Sequence, residues 1–329
     1  MSIKNNEPPA QGANSGENHI RPAKRNRSAL FLVIFGVCMV SYSGPMVKGA
    51  LNAGATPTSV ALIRMLAAGL LLLPFDLSVC IKRRISFVLN RSQCLWTLLA
   101  AIFLSAHYLT WITSLEGTST FASVALVCTQ PIFVSLFSFF LFHETLPRPA
   151  LPGAAIAMLG AVFIALSGLL GTPNHTASQN GELLANLLAL LGAVMMAAHW
   201  LTARHIRQTL PAEVYTPVLY LLTAAILAII LPLTGHFSMP LSAIPYMIGL
   251  VLGSTLLGHT LFSFALSRVS ASVVSFALLG EPVGAMLFAM LFLGEIPSLW
   301  VLLGGALTLV GLCLYLAFAE KKAPKAQME

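Results

Sequence analysis

The sequence predicts an all-α integral membrane protein: ten transmembrane helices forming two inverted five-helix repeats, with both termini in the cytoplasm. Three observations predict it. The 329 residues are 57% hydrophobic and 9% charged, with a mean hydropathy of +0.85. A soluble domain carries about 25% charged residues, so this chain cannot clothe a water-facing surface and lipid must be its solvent. The Lys and Arg residues fall in short clusters between long apolar runs. One half of the chain also returns in the other at a constant spacing.

A spanning helix needs about 20 mostly apolar residues. Ten such runs follow in order: 29–50, 57–80, 93–114, 119–142, 149–170, 183–204, 213–234, 242–266, 270–293 and 297–319. The first follows Arg21, Lys24, Arg25 and Arg27, as a signal peptide would. It is too long for an h-region and has no small-residue cleavage site, so it reads as a retained span. Residues 1–28 are polar and rich in Asn, Gly, Pro and Ser, a disordered cytoplasmic tail by composition. Residues 29–171 make the first repeat, 172–182 an outer loop, 183–320 the second repeat and 321–329 a second cytoplasmic tail. The outer loop carries the sequon Asn174-His175-Thr176.

Sixteen of the 18 basic residues lie in the two tails and the even-numbered connections. Lys82, Arg83, Arg84 and Arg91 fill the second, Arg148 the fourth, Arg204 and Arg207 the sixth, and Arg268 the eighth. The odd-numbered connections hold none, and only Lys48 and Arg64 remain, both inside spans. The positive-inside rule then puts both termini in the cytoplasm. The net charge of +7 is thereby explained by membrane topology, without nucleic acid as a partner. A multi-pass protein of the bacterial cytoplasmic (inner) membrane is expected, as a monomer or homodimer. The five cysteines are scattered, with no CxxC and no metal spacing.

An offset of 151 aligns residues 114–167 with 265–318 without a gap. It pairs Ser119 with Ser270, Pro131 with Pro282, Glu144 with Glu295, Gly153 with Gly304 and Gly160 with Gly311. Each copy has five spans, and five is odd, so the second copy enters from the opposite side. Inverted repeats of this kind build alternating-access carriers, with the substrate site near the midplane. The ten spans, the two Pro-to-Glu segments and "EPVGAMLFAMLFLGE" before a Gly-rich last span resemble EamA-type transporters of the drug/metabolite transporter superfamily. "AHYLTWITSL" and "GHTLFSFAL" resemble one bacterial branch of it. The resemblance covers about residues 29–319 and implies transport of small metabolites, often amino-acid-like.

The polar residues inside the spans are the candidate site. Glu281 precedes Pro282, and Gln130 precedes Pro131, one repeat apart. At a rise of 1.5 Å per residue both lie roughly 16 Å into their spans, near the midplane. A carboxylate there costs about 2.5–3.5 kcal/mol on insertion scales, so it must face the interior, find a partner or hold a proton. Each proline removes a backbone donor and frees a carbonyl one turn back. Glu281 is thus expected to bind a proton or a substrate ammonium, with protons as coupling ion, or else to be a neutral or paired hinge residue. Gln130 can only hydrogen-bond. His107 and His259 are candidates for relay or substrate contact, while His199 reads as a packed histidine bonded to a carbonyl.

Arg64 stays charged and must meet an acid, a carbonyl cage or an anionic substrate group. Lys48 is expected to snorkel. Ser41, Tyr42, Ser43, Gly44 and Pro45 interrupt the first span, either as a broken helix at the site or as a proline kink. Tyr42, Tyr108, Trp111, Trp200 and Phe262 could shape a pocket, although Trp111 near an outer boundary also suits an interfacial belt. Glu144 and Glu295 end their helices and read as caps or conformational latches.

Other function classes find less support. His143-Glu144 begins a metalloprotease-like motif, but position 147 is Pro and the second His is missing. There is no GxSxG and no GxxxxGK[ST], so neither an intramembrane enzyme nor an ATP-driven pump is indicated and no cofactor is expected. A facilitative channel would want a filter-like carbonyl sequence or a charged ring. The expectation is a secondary carrier of a small polar metabolite.

Overall fold

The computed structural model of the protein describes residues 27–143, 148–167, 179–258 and 280–320. Its elements are α1 (Arg27–Ser41), α2 (Ser43–Asn52), α3 (Pro57–Arg83), α4 (Arg91–Gly117), α5 (Thr120–Val127), α6 (Gln130–Phe142) and α7 (Leu151–Ala165). After these come α8 (Gln179–Ile206), α9 (Ala212–Thr234), α10 (Ile244–Ile248), α11 (Glu281–Leu293) and α12 (Leu299–Glu320). No strand occurs among the described residues. Nine helical stretches among them are long and apolar enough to cross a membrane, and Glu281–Leu293 is a shorter apolar helix.

Capping residues set several of these boundaries. Asn90 accepts the Gln93 N–H while Gln93 returns a bond to the Asn90 N–H, a reciprocal capping box that starts α4. Arg84 in left-handed conformation ends α3. Three expected spans are interrupted. Tyr42 separates α1 from α2, and Cys128-Thr129 separates α5 from α6. Past Ile248 the chain continues as a π-helix over Gly249–Gly258. In lipid such irregular backbone is tolerated where it is buried in protein or lines a cavity.

The interior is built from small side chains. Ala50, Ala61, Ala68, Ala100, Ala101, Ala193 and Ala197 are fully buried, while Leu70, Leu71, Phe75, Ile81, Leu291 and Trp200 face outward. Lipid tails are as apolar as Leu, so helices associate through close backbone approach rather than by hiding large side chains. The crossing of α7 and α12 is the tightest case. A Cβ at Gly153 would stand 2.8 Å from Gly311 O, and one at Gly304 would stand 2.9 Å from Gly160 O. At the centre of this crossing the Thr308 hydroxyl donates to Ala157 O at 3.4 Å. Helices α3 and α9 pack antiparallel, with Thr58 Oγ1 and Thr234 Oγ1 2.7 Å apart at one end and Gly69 against Leu221 further along.

Candidate functional site

The interrupted helices bring the polar residues together. Arg64, on α3, is 4% exposed. Its Nε donates to Thr255 Oγ1 at 2.9 Å and its Nη1 to Ser43 Oγ at 3.3 Å. Thr255 belongs to the π-helical stretch and Ser43 opens α2, so two irregular segments hold one guanidinium. The same group lies over the Tyr108 ring at 4.9 Å and beside the Trp111 ring at 5.9 Å. Residues 108 and 111 are three apart on α4 and therefore share a face. Tyr108 and Trp111 are both buried, so Trp111 is not an interfacial belt residue. Trp200, 54% exposed, faces away from this cluster.

Of the histidines, His107 and His199 tie α4 to α8. His107 Nδ1 lies 2.9 Å from Gly192 O, and His199 Nδ1 lies 3.0 Å from Ala100 O. A carbonyl only accepts, so Nδ1 carries the proton in both. The two bonds run in opposite directions between antiparallel helices. The His107 ring also stacks on Trp111, at 5.8 Å and 12°. His107 therefore sets the pose of the aromatic wall around Arg64. His259, Phe262 and Glu144 lie outside the described residues.

Glu281 and Gln130 each open a described helix. Each is the first residue of a 13-residue helix, α11 and α6, with its proline next in line. Proline suits this position, because its missing N–H is one that the first turn leaves unpaired. On the Gln130 side α5 and α6 together make one apolar stretch, Thr120–Leu141, interrupted at Cys128-Thr129; the lead-in expected before Glu281 lies outside the described residues. Their N-terminal ends carry partial positive charge that favours an acidic or polar group. Glu281 has protein packed around it yet retains accessible surface, the combination expected of a cavity wall. No described residue hydrogen-bonds its carboxylate. It and Arg64 flank the break in the first span, where Ser43 Oγ accepts from Arg64 and Ser41 lies against Gly284.

Three further polar atoms in this region are buried without a hydrogen-bond partner among the described residues: Ser41 Oγ, Trp111 Nε1 and Gln130 Oε1. Ser41 sits against Gly284, one turn beyond Glu281 on α11, where a Cβ would meet its hydroxyl. Tyr42 meets Phe288 and Phe292 edge-on, at 5.6 and 5.9 Å, and covers Gly249. Gly44 and Pro45 are buried at the start of α2, with Gly44 against Thr120 and Val124. The break in the first span therefore carries side chains to both sides of the cluster.

A second polar group lies at one end of the bundle. Lys48 Nζ donates to Leu115 O and to Thr118 O, the latter at 3.2 Å, so it caps the end of α4 and does not snorkel. Glu295 accepts the Thr120 N–H and the Thr120 hydroxyl, each at 2.6 Å, capping α5 from the far half of the chain. Thr118 donates to Asn186 Oδ1 at 2.7 Å.

Ser43 lies within the break that the sequence marks, but nothing in the sequence distinguishes Thr255. Asp76, buried on α3, bears a signal that the Lys and Arg map passes over: an acid within an apolar run.

The EamA-like transporter family model matches this chain twice, over residues 27–166 and 183–317. The "Uncharacterized transporter YdfC" of Bacillus subtilis (strain 168) is 29% identical over 262 residues, 79% of this chain and 82% of that protein. A "Probable terminal-alkyne amino-acid exporter" of Streptantibioticus cattleyicolor is 25% identical over 190 residues, 57% of this chain and 61% of that protein. A crystal structure with 19% sequence identity matches the fold with a TM-score of 0.58, over 90% of this chain and 98% of that one.

Proposed function

The chain belongs to the EamA-like transporter family, a family of transporters and not of enzymes, and from that premise we propose a secondary-active carrier for a small polar, amino-acid-like metabolite. It works by alternating access around the cluster of Arg64, Tyr108, Trp111, Gln130 and Glu281. The observation that carries this reading is the meeting of that cluster with interrupted helices. Discontinuous helices that start at polar residues near the midplane are how carriers of inverted-repeat design build substrate sites. The amino-acid class draws on the name of one relative, an amino-acid exporter.

Two inverted repeats, residues 29–171 and 183–320, are the second element of the proposal. The family model matches once in each. Residues related by a two-fold axis can touch one another only on that axis. Ala157 and Thr308, 151 apart, hydrogen-bond at the α7–α12 crossing. Exchange of the two repeats turns the Gly153–Gly311 approach into Gly304–Gly160, and both approaches occur. The α3–α9 pairing is also nearly self-related, with Gly69 against Leu221. An axis through these two crossings supports ten spans with the repeats rocking about it.

With the basic clusters inside, both termini are cytoplasmic and the protein crosses the bacterial inner membrane many times. Glu281 couples a proton or a substrate ammonium to the motion, because its carboxylate has neither a hydrogen bond nor an ion pair among the described residues. The test is counterflow of radiolabelled amino acids in proteoliposomes at two pH values. Wild type is expected to exchange at least one amino acid with a pH-dependent rate. Glu281→Gln should remove that dependence, and an unaltered pH response in the variant would sink the coupling role.

A further inference from the structure

We infer that Arg64 and Glu281 form the two poles of a receptor for a zwitterionic head group, with Arg64 taking the carboxylate and Glu281 the ammonium of an α-amino acid. The inference rests on the carrier reading above and assigns its substrate contacts. Four observations bear on it.

First, Arg64 has no counter-ion among the described residues: no acidic side chain pairs with it. A guanidinium has five N–H groups, and Thr255 and Ser43 take two of them, leaving three for something else. A buried charge that is neither paired nor fully hydrogen-bonded is costly. The Tyr108 and Trp111 faces offset part of that cost through cation–π attraction, and they hold the planar group in a fixed pose. A flat, charged, preoriented fork with free donors matches a carboxylate.

Second, Glu281 has the complementary lack. It stands across the first-span break from Arg64, with Ser43 bonded to the guanidinium and Ser41 against Gly284 one turn beyond Glu281, and its carboxylate has no hydrogen bond or ion pair among the described residues. Opposite charges free to meet would form a bridge. On separate helices, α3 and α11, they offer a positive and a negative group to a molecule bound between them. A zwitterion meets both in one orientation, whereas a simple cation or anion satisfies one group and leaves the other unpaired.

Third, the surroundings supply neutral polar atoms without partners: Trp111 Nε1, Ser41 Oγ and Gln130 Oε1. Trp111 Nε1 donates only, and Gln130 Oε1 accepts only. A head group that carries both donors and acceptors suits both.

Fourth, the offset of 151 assigns one charge to each repeat. The counterpart of Glu281 is Gln130, and the same offset carried into α3 gives Tyr215 for Arg64. Both counterparts are uncharged, and both carry a buried oxygen without a partner among the described residues. The two repeats thus contribute opposite charges, so a zwitterion bound between them pulls the repeats together.

A site built around a buried guanidinium rejects a molecule that leaves it unpaired far more strongly than one that merely fits less well. The experiment measures equilibrium binding of three probes with one side chain to the purified full-length protein: L-phenylalanine, phenethylamine and 3-phenylpropanoate. Alanine and leucine with their matching amines and acids form parallel sets. Wild type is expected to prefer each amino acid over both analogues by about tenfold or more. Arg64→Gln should collapse the preference for amino acid over amine, and Glu281→Gln the preference for amino acid over acid. Arg64→Lys keeps the charge but loses the planar fork, and should retain part of the preference; it serves if the Gln variant does not fold. An equal loss for all three probes in Arg64→Gln, or no loss at all, overturns the assignment. Counterflow by wild type separates the two proposals. Amino-acid exchange together with a probe-independent effect of Arg64→Gln leaves the carrier reading standing and removes this one, while wild-type protein that neither binds nor exchanges any amino acid removes both.

Discussion

A buried ionic residue is defined by what it lacks. Arg64 has two neutral hydrogen-bond partners and two aromatic faces but no acid among the described residues. The sequence leaves an acid, a carbonyl cage and a ligand open for it, with a structural partner favoured over direct binding, because all three look alike in an apolar run. His107 shows the opposite case. Its position in a span suggests proton relay or substrate contact, but its Nδ1–H is committed to Gly192 O and its ring to Trp111. His107→Asn, which can still donate through its amide, is therefore expected to leave the pH profile of exchange unchanged. Loss of the ring's stacking should cost about 1 kcal/mol, read as a lower midpoint of thermal unfolding in detergent. A shifted pH profile would return His107 to the coupling machinery.

At the scale of elements, a proline in an apolar run predicts a disturbance but not its extent. The Gln-Pro step reads as a kink, and there α5 gives way to α6 across Cys128-Thr129; the residues leading into the Glu-Pro step lie outside the described ones. The π-helical stretch of Gly249–Gly258 has no comparable sequence signal, since its residues suit an α-helix as well. The α7–α12 crossing is legible only in part. Gly153, Gly160, Gly304 and Gly311 stand out in the repeat alignment, but which approaches which is a matter of register. Gly311 lies on the Ala157 backbone, so Gly311→Leu should force the helices apart at a cost of about 3 kcal/mol or more. Size-exclusion profiles and thermal melts would reveal this, and a variant as stable as wild type would contradict the described contact.

For the whole molecule, the charge map makes a prediction that needs no side-chain geometry. A single cysteine at position 2 or 325, in a chain whose native cysteines are replaced, should react with an impermeant maleimide in inside-out vesicles and not in intact cells. Labelling in the opposite orientation would overturn the topology, whereas the Lys48 and Glu295 contacts at one end of the bundle do not depend on it. Those contacts matter at this scale because Glu295 reaches Thr120 across the two halves of the chain.

Composition and periodicity by themselves determined that this protein is a helical membrane protein, where its spans lie and which residues are out of place in lipid. Those properties follow from local transfer energies, which a sequence records residue by residue. The tertiary structure decided which of the misplaced residues are paired with one another. His107, His199 and Lys48 found backbone carbonyls, whereas Arg64 and Glu281 have no ion-pair partner among the described residues. The physical reason is that a hydrogen bond depends on the register and rotation of two helices. A shift of one residue turns a side chain by about 100°, a difference to which hydropathy is blind.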